Sequence, residues 1–313
     1  MENKKNMTTF FTQDVFYAIF LATLRMAVPL ALVTLGATFS VLCGVSELGC
    51  EGMMIAGAFF GVLASYLSGS RWLGVFFAML AGIVFAMVHG LMHVVYKVNH
   101  TISGMAVNLL ASAFAPLLVK LVWNTNSITP TVDSFKTYEH TALKRIPGLS
   151  FLSEMNIFFF AVLALVCISW FYFFKTKRGF RMRSVGENPQ AANTLGINVI
   201  GYKLAGVAIC GALSGLGGAS LSLGQLSQYV DGMTAGRGYI AMVINAFGHY
   251  RPLGSLLGAL FFGFFDALQL VLQSSAIPSQ FLMMLPYVVT LLIVSFGLKR
   301  IKQPAGVGKH HDN

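Results

Sequence analysis

Seven windows of this chain contain no Asp, Glu, Lys or Arg: residues 26–46, 52–70, 72–96, 98–119, 155–174, 204–230 and 267–298. Most of them reach the ~20 residues a helix needs to cross the hydrocarbon core of a bilayer. A backbone at that depth must satisfy its own hydrogen bonds, and a helix does so within one segment. The pattern predicts an all-α, polytopic transmembrane helical bundle of about eight spanning segments, or up to ten, with at least one interrupted helix. Apolar segments are marked near 24–43, 46–67, 72–94, 101–123, 154–174, 201–222, 236–273 (the interrupted one) and 281–298. Charged residues make up 10% of the chain, against about 25% in a soluble domain. That excludes a disordered chain, a disulfide scaffold and a freestanding nucleic-acid binder. Cys43, Cys50, Cys167 and Cys210 lie in apolar stretches without paired spacing and read as small buried hydrophobes. The run Val15–Leu24 meets Arg25 and then another apolar stretch, without a small-residue cleavage pattern, so it does not read as a removable signal peptide.

Orientation follows from the basic residues, which stay cytoplasmic when they sit in short loops. Lys175, Lys177, Arg178, Arg181, Arg183 and Lys203 crowd one loop, and Lys299, Arg300, Lys302 and Lys309 crowd the end of the sequence. Both regions are expected inside, and the net charge of +10 reports this topology and contact with anionic lipid, not nucleic acid. The chain therefore divides into one transmembrane domain over residues 1–300, with a cytoplasmic loop at 175–200 and an external loop at 125–153, and a cytoplasmic tail at 301–313. An even number of crossings must separate the two basic regions, which is met if the Gly-rich 225–249 stretch crosses once, brokenly, with His249 and Arg251 inside. Five segments precede the basic loop, which puts the N-terminus outside, whereas Lys4 and Lys5 favour inside.

Gly74, Ala78, Gly82, Ala86 and Gly90 repeat every four residues, and Gly211, Gly215 and Gly218 form a second strip. Small side chains on one helix face let another helix approach closely. In the basic loop, Asn188 suits a helix cap, Pro189 the first helical position, Ala191 and Ala192 the helix, and Gly196 its stop. These residues, with Gly186 and Glu187, predict a helix of about two turns that either lies on the membrane surface or couples to a partner by docking in a groove.

Polar groups at membrane depth are candidates for the substrate path. Asp266, Gln269 and Gln273 share one helix face, and Asn108 with Ser112 forms another polar pair. Either set could hydrogen-bond a polar solute or could simply join helices, and Phe59, Phe60 or Tyr66 could stack on a flat ring. Glu47 and Glu51 are i, i+4 near a segment start, where an interfacial position, a cap at Gly52 or, for Glu51, a place on the path is open. His89 and His93 have ligand spacing, but Gly90 stands where a zincin has its catalytic Glu, so no metal site is assigned. Arg237 and Arg251 flank the broken segment as expected interfacial anchors, and no catalytic constellation is found.

Six stretches carry a resemblance: GENPQAANTLGI at 186–197, SELGCEGMMIAGAFFG at 46–61, ISGMAVNLL at 102–110, LSLGQL at 221–226, DGMTAGRG at 231–238 and FGHYRPLGSLLGALFFG at 247–263. Together they resemble the permease subunits of ABC importers of the branched-chain amino acid, ribose and nucleoside branch. IPSQFLMMLPYVVTLLI at 277–293 is similar to the shorter permease of nucleoside uptake systems. The resemblance implies a multi-pass protein of the plasma membrane, bacterial in origin. It also implies a second related permease, nucleotide-binding ATPase subunits that hold ATP and Mg, and an extracytoplasmic substrate-binding lipoprotein. Relatives usually carry Asn-Ile-Gly where this chain has Glu47-Leu48-Gly49, and an apolar residue at Asn245. The only Gly-Lys pair, Gly308-Lys309, precedes His310 and follows Gln303 at the position a phosphate loop gives to Gly, so no GxxxxGK[ST] motif is present and no cofactor is expected in this chain. A sugar or branched-chain amino acid cargo remains open at this point, as does an ion-coupled secondary transporter using Asp266.

Overall fold

The computed structural model describes residues 13–125, 127–135, 154–272 and 303–308, with isolated positions between 284 and 295. Ten α-helices are traced there: α1 (Gln13–Leu42), α2 (Cys50–Ser68), α3 (Arg71–Gly90), α4 (His100–Trp123), α5 (Ile157–Lys175), α6 (Lys177–Glu187), α7 (Pro189–Thr194), α8 (Val199–Leu221), α9 (Arg237–Phe247) and α10 (Pro252–Leu272). Short π-helical turns prolong α3 over Leu91–Val95 and α8 over Ser222–Leu226. Among the described residues seven helices are long and apolar enough to cross a membrane. The eighth expected segment, 281–298, lies outside the described residues except for isolated positions, and so does 136–153 of the expected external loop.

Polar side chains set half of the ten helix starts. The side-chain oxygens of Asn99, Asn156, Thr176, Asn188 and Asn198 each accept from a backbone N–H two or three residues on, replacing partners that a helix N-terminus lacks. Pro29 and Pro116 lie inside α1 and α4, as the bilayer tolerates where neighbours re-satisfy the freed carbonyls.

α8 lies at the centre, against α1, α2 and α3, and α10 packs along the other side of α1. The two small-residue strips meet here. A Cβ added at Gly82 would strike the Gly211 carbonyl, and one added at Gly215 would strike the Ala78 carbonyl, so α3 and α8 touch backbone to backbone. Around this seam lies a core that includes Leu30, Leu35, Phe59, Phe173, Leu213 and Phe262.

The two ends of the bundle are chemically different. At one end Arg25 reaches Glu154 (3.4 Å), the Gln225 amide donates to the Arg25 carbonyl (3.2 Å), and Ser65 donates to the Asp133 carbonyl (3.0 Å). At the other lie the basic helix α6 and α7, with Gly186 against the carbonyl of Leu42. α1 therefore begins at the end opposite the basic loop, as five crossings before that loop require, and Lys4 and Lys5 fall outside the described residues. Residues 227–236 run as turns from the far end to mid-depth, where α9 starts, and the helix then returns to the basic end at His249 and Arg251. The broken single crossing of 225–249 is thus realised as half coil, half helix. One expectation needs correction: Cys167 is exposed on α5, whereas Cys43, Cys50 and Cys210 are buried. Its face of the helix points away from the protein and is apolar enough for lipid.

Candidate functional site

The break before α9 creates a need for charge. A half-helix that starts at mid-depth presents unpaired N–H groups and the positive end of its dipole to a medium without water. Arg237, its first residue, adds a full positive charge there. Glu51 answers the first problem: Oε1 accepts from the Thr234 hydroxyl (2.6 Å) and the Gly236 amide (3.0 Å), and Oε2 accepts from the Gly238 amide (2.7 Å). Asp266 answers the second, with Oδ2 3.6 Å from Arg237 Nε, while Arg237 Nη1 donates to the Met233 carbonyl (3.2 Å). Glu51 therefore caps a helix, but α9 and not its own. Arg237 is part of an ion pair inside the bundle, which replaces the expected interfacial anchor; Arg251 is exposed at the basic end.

Asn108 joins the same region. Its Oδ1 accepts from the Gly52 amide (2.8 Å), and its Nδ2 donates to the Leu48 carbonyl (2.8 Å) and to Tyr239 Oη (2.9 Å). Asn108 ties α4 to the start of α2 and to α9. A cavity of about 330 Å³ opens beside it, walled by Glu51, Ile55, Met105, Asn108, Ser112, Asp231 and Tyr239 among others. Gly232, Ala235 and Gly236 hold positive φ on its rim, at 74°, 47° and 75°. Broken helices facing a cavity at mid-depth are where transporters bind small polar solutes.

The expected path residues thus divide. Asn108, Ser112 and Glu51 line one cavity. Asp266 is engaged by Arg237, Gln269 lies half-buried one turn further along α10, and neither is on that wall. Gln273 lies outside the described residues. Phe59 is 0% exposed, its ring set edge-on to Phe60, Trp123 and Tyr229 at 5.2, 6.2 and 5.6 Å, and it presents no face to a solute. Phe60 is half-buried on that cluster, and Tyr66 packs on Trp123, so neither faces the cavity. Sequence reasoning missed Asp231 and Tyr239. The signal was available in DGMTAGRG, where a carboxylate precedes three glycines inside a broken segment.

A second buried polar cluster sits in the α1–α2 turn. Glu47 accepts from the Ser40 hydroxyl (2.8 Å), and its other oxygen lies 3.6 Å from His89 Nε2. His89 in turn bonds the Ser46 carbonyl (3.3 Å) and the Ser103 hydroxyl (2.9 Å), and His93 the Val98 carbonyl (3.0 Å). Burial pushes the Glu47 carboxyl up to about 8, with the Ser40 hydrogen bond opposing. Glu47 is thus enclosed, not interfacial. Asn245 is likewise used inside the protein, where Thr38 bonds both its Oδ1 (2.9 Å) and Ser255 Oγ (3.0 Å), linking α1, α9 and α10.

At the basic end, the Asn188 side chain accepts from the Ala191 amide (3.0 Å), Pro189 opens α7, and Gly196 ends it at φ 74°. Ala192 faces inward onto Val185 and Val199. Gln190, Ala191, Asn193, Thr194 and Leu195 face outward, and Leu195 is 79% exposed. The residues before it, read as loop, form α6, and Gly186 falls in its last turn because only a glycine lets the Leu42 carbonyl approach. A cavity of about 510 Å³ lies between this unit and the strained turn at His249 and Tyr250, both with φ of 54°.

Over residues 19–294 the chain matches the family described as the permease component of the branched-chain amino acid transport system. It is 36% identical over 299 residues to the guanosine ABC transporter permease protein NupQ of Bacillus subtilis (strain 168), which covers 92% of this chain and 94% of that one. It is 34% identical over 295 residues to the nucleoside ABC transporter permease protein NupC of Lactococcus lactis subsp. cremoris (strain MG1363), covering 90% and 93%. A solved structure described as an inward-facing conformation of a metal-chelate type ABC transporter shares the fold at a TM-score of 0.51 and 18% identity, covering 93% of this chain and 91% of that one. With a family match over most of its length and relatives of this identity, the chain belongs to the branched-chain amino acid-type permease family and is a multi-pass ABC transporter permease.

Proposed function

We propose that this permease imports nucleosides across the plasma membrane together with a second, related permease, and that a separate ATPase subunit drives it by docking on the 186–196 unit. The observation that carries the coupling part is α7 itself: a capped helix outside the membrane that turns Ala192 inward and leaves Leu195 bare. An exposed apolar residue on a short rigid helix is the kind of anchor a partner groove takes. ATP and Mg would be held by that partner and the solute delivered by an extracytoplasmic lipoprotein.

The cargo reading rests on the relatives named for guanosine and nucleosides, and on the chemistry of the cavity. Glu51 and Asn108 spend their hydrogen bonds on α9 and α2, so they shape the wall and do not grip the solute. Asp231, Ser112 and Tyr239 are exposed to it. A carboxylate accepts from ribose hydroxyls, and a phenol ring offers a face to a base. The ion-coupled alternative loses its candidate group, since Asp266 is occupied by Arg237.

Uptake of labelled guanosine, inosine and uridine in cells with and without the gene tests the reading, with ribose and leucine as competitors. Loss of uptake on deletion, with competition from nucleosides alone, is expected. Competition by ribose or leucine would move the cargo to a sugar or an amino acid.

A further inference from the structure

Residues 303–308 return to the basic end and lie across three parts of it. Ala305 N–H donates to Glu187 Oε2 (3.1 Å), Gly306 N–H to the Gly186 carbonyl (2.9 Å), and Gly308 N–H to the Gly44 carbonyl (3.1 Å). A Val307 N–H to Pro304 carbonyl bond (3.1 Å) folds the segment into a turn. The fit is close: a Cβ on Gly306 would lie 2.6 Å from the Gly186 carbonyl oxygen and 2.9 Å from Pro189 Cδ. Gly308 holds a φ of 72°, and a Cβ there would lie 3.0 Å from Cε1 of His100 at the start of α4. Gln303 bonds Tyr250 in the strained turn before α10. Ala305 and Gln303 are exposed, so little apolar burial explains the placement; directed hydrogen bonds do.

The geometry points to a coupling strap: residues 303–308 tie the docking unit at Gly186 and Glu187 to the α1–α2 turn at Gly44, so that displacement of α7 reaches α1 and α2 together. This rests on the reading that the ATPase docks on α7. Even without the strap Gly186 packs on the Leu42 carbonyl and against the Gly44 backbone. These are packing contacts, which set how close the two sides lie but not the angle between them. The strap adds directed hydrogen bonds to both sides, at Gly186 and Glu187 and at Gly44, which fix that angle and make the displacement a rigid-body one. Glu187 is then a positioning residue: it holds the strap and takes no part in binding solute.

The test uses the assembled transporter in vesicles of phosphatidylethanolamine and phosphatidylglycerol, reading labelled guanosine moved per ATP hydrolysed. Three variants are compared: a chain ended after Lys302, Ala305→Pro, which lacks the N–H given to Glu187, and Gly306→Val. Each is expected to keep the ATPase at wild-type stoichiometry while guanosine moved per ATP falls about tenfold. An unchanged ratio in all three overturns the proposal. So does a parallel loss of hydrolysis, uptake and bound ATPase, which would make the segment a folding element only. Gln190→Cys, cross-linked to the ATPase in the otherwise wild-type chain, separates the two readings: absence of a cross-link refutes docking on α7 and takes the strap with it, whereas a cross-link with an unchanged ratio refutes the strap alone.

Discussion

The α3–α8 seam and the basic end solve the problem of joining helices in opposite ways. At the seam, Gly82 and Gly211 bring two backbones into contact and no side chain intervenes. At the basic end, α6, α7, the α1–α2 turn and residues 303–308 are joined by caps and by N–H to carbonyl or carboxylate bonds, besides one close backbone approach of Gly186 to Leu42. Dense backbone packing has no alternative arrangement of similar energy, so the seam moves as one body. The basic end instead turns exposed groups outward, among them Glu187, Asn188 and Leu195, on a unit pinned to the bundle by directed bonds, so it offers a surface on which a partner can push. An ABC transporter permease needs both, a stiff membrane domain and a handle on it.

The largest effect should come from breaking the seam. Gly82→Leu places a side chain where the Gly211 carbonyl sits, and neither backbone can give way; overpacking of this kind costs ~1–3 kcal/mol or more. The expected outcome is loss of monodisperse protein on size-exclusion chromatography. Next is Glu51→Gln, at the border between rigid core and cavity. The amide can still accept from Thr234 and Gly236, but its NH₂ group then opposes the Gly238 N–H. Leaving that buried donor unpaired costs about 1–3 kcal/mol, read as a lower Tm together with impaired uptake. Smaller in stability but decisive for the handle is Leu195→Asp. Its side chain touches solvent, so the protein should fold normally, while ATPase affinity drops about tenfold in a pull-down titration. If the affinity holds, α7 is not the docking helix.

A pH-dependent effect sharpens the comparison where turn and core meet. The Glu47 carboxyl is raised from about 4.5 to about 8 on folding. The folded state therefore binds the proton more tightly than the unfolded one, and the stabilisation present below about pH 4.5 is lost as pH rises towards 8. Tm should fall by a few degrees across that window, and Glu47→Gln, which cannot ionise, should flatten the slope.

Much of this was legible in the one-dimensional pattern because it depends on local rules. Charge-free windows fix the spanning helices, Asn188, Pro189 and Gly196 fix α7 by cap chemistry, and the four-residue spacing of small residues announced the seam without naming its partner. α6 escaped because its basic residues were read only as a topology signal, although Thr176 caps it in the ordinary way.

What the sequence determined alone was the class of molecule, its apolar spanning helices among the described residues, and the capped helix in its basic loop, since each follows from residues within a turn or two of one another. Only the tertiary structure decided which polar groups were already spoken for. Glu51 and Asp266 look equally free in the sequence. They are consumed by the N-terminus and first residue of α9, more than 180 residues from Glu51, because a half-helix ending at mid-depth leaves amides and a guanidinium that no water can satisfy. Asp231, on the cavity wall, carries no such mark in the sequence either, and its hydrogen bond to Tyr229 is likewise visible only in the fold.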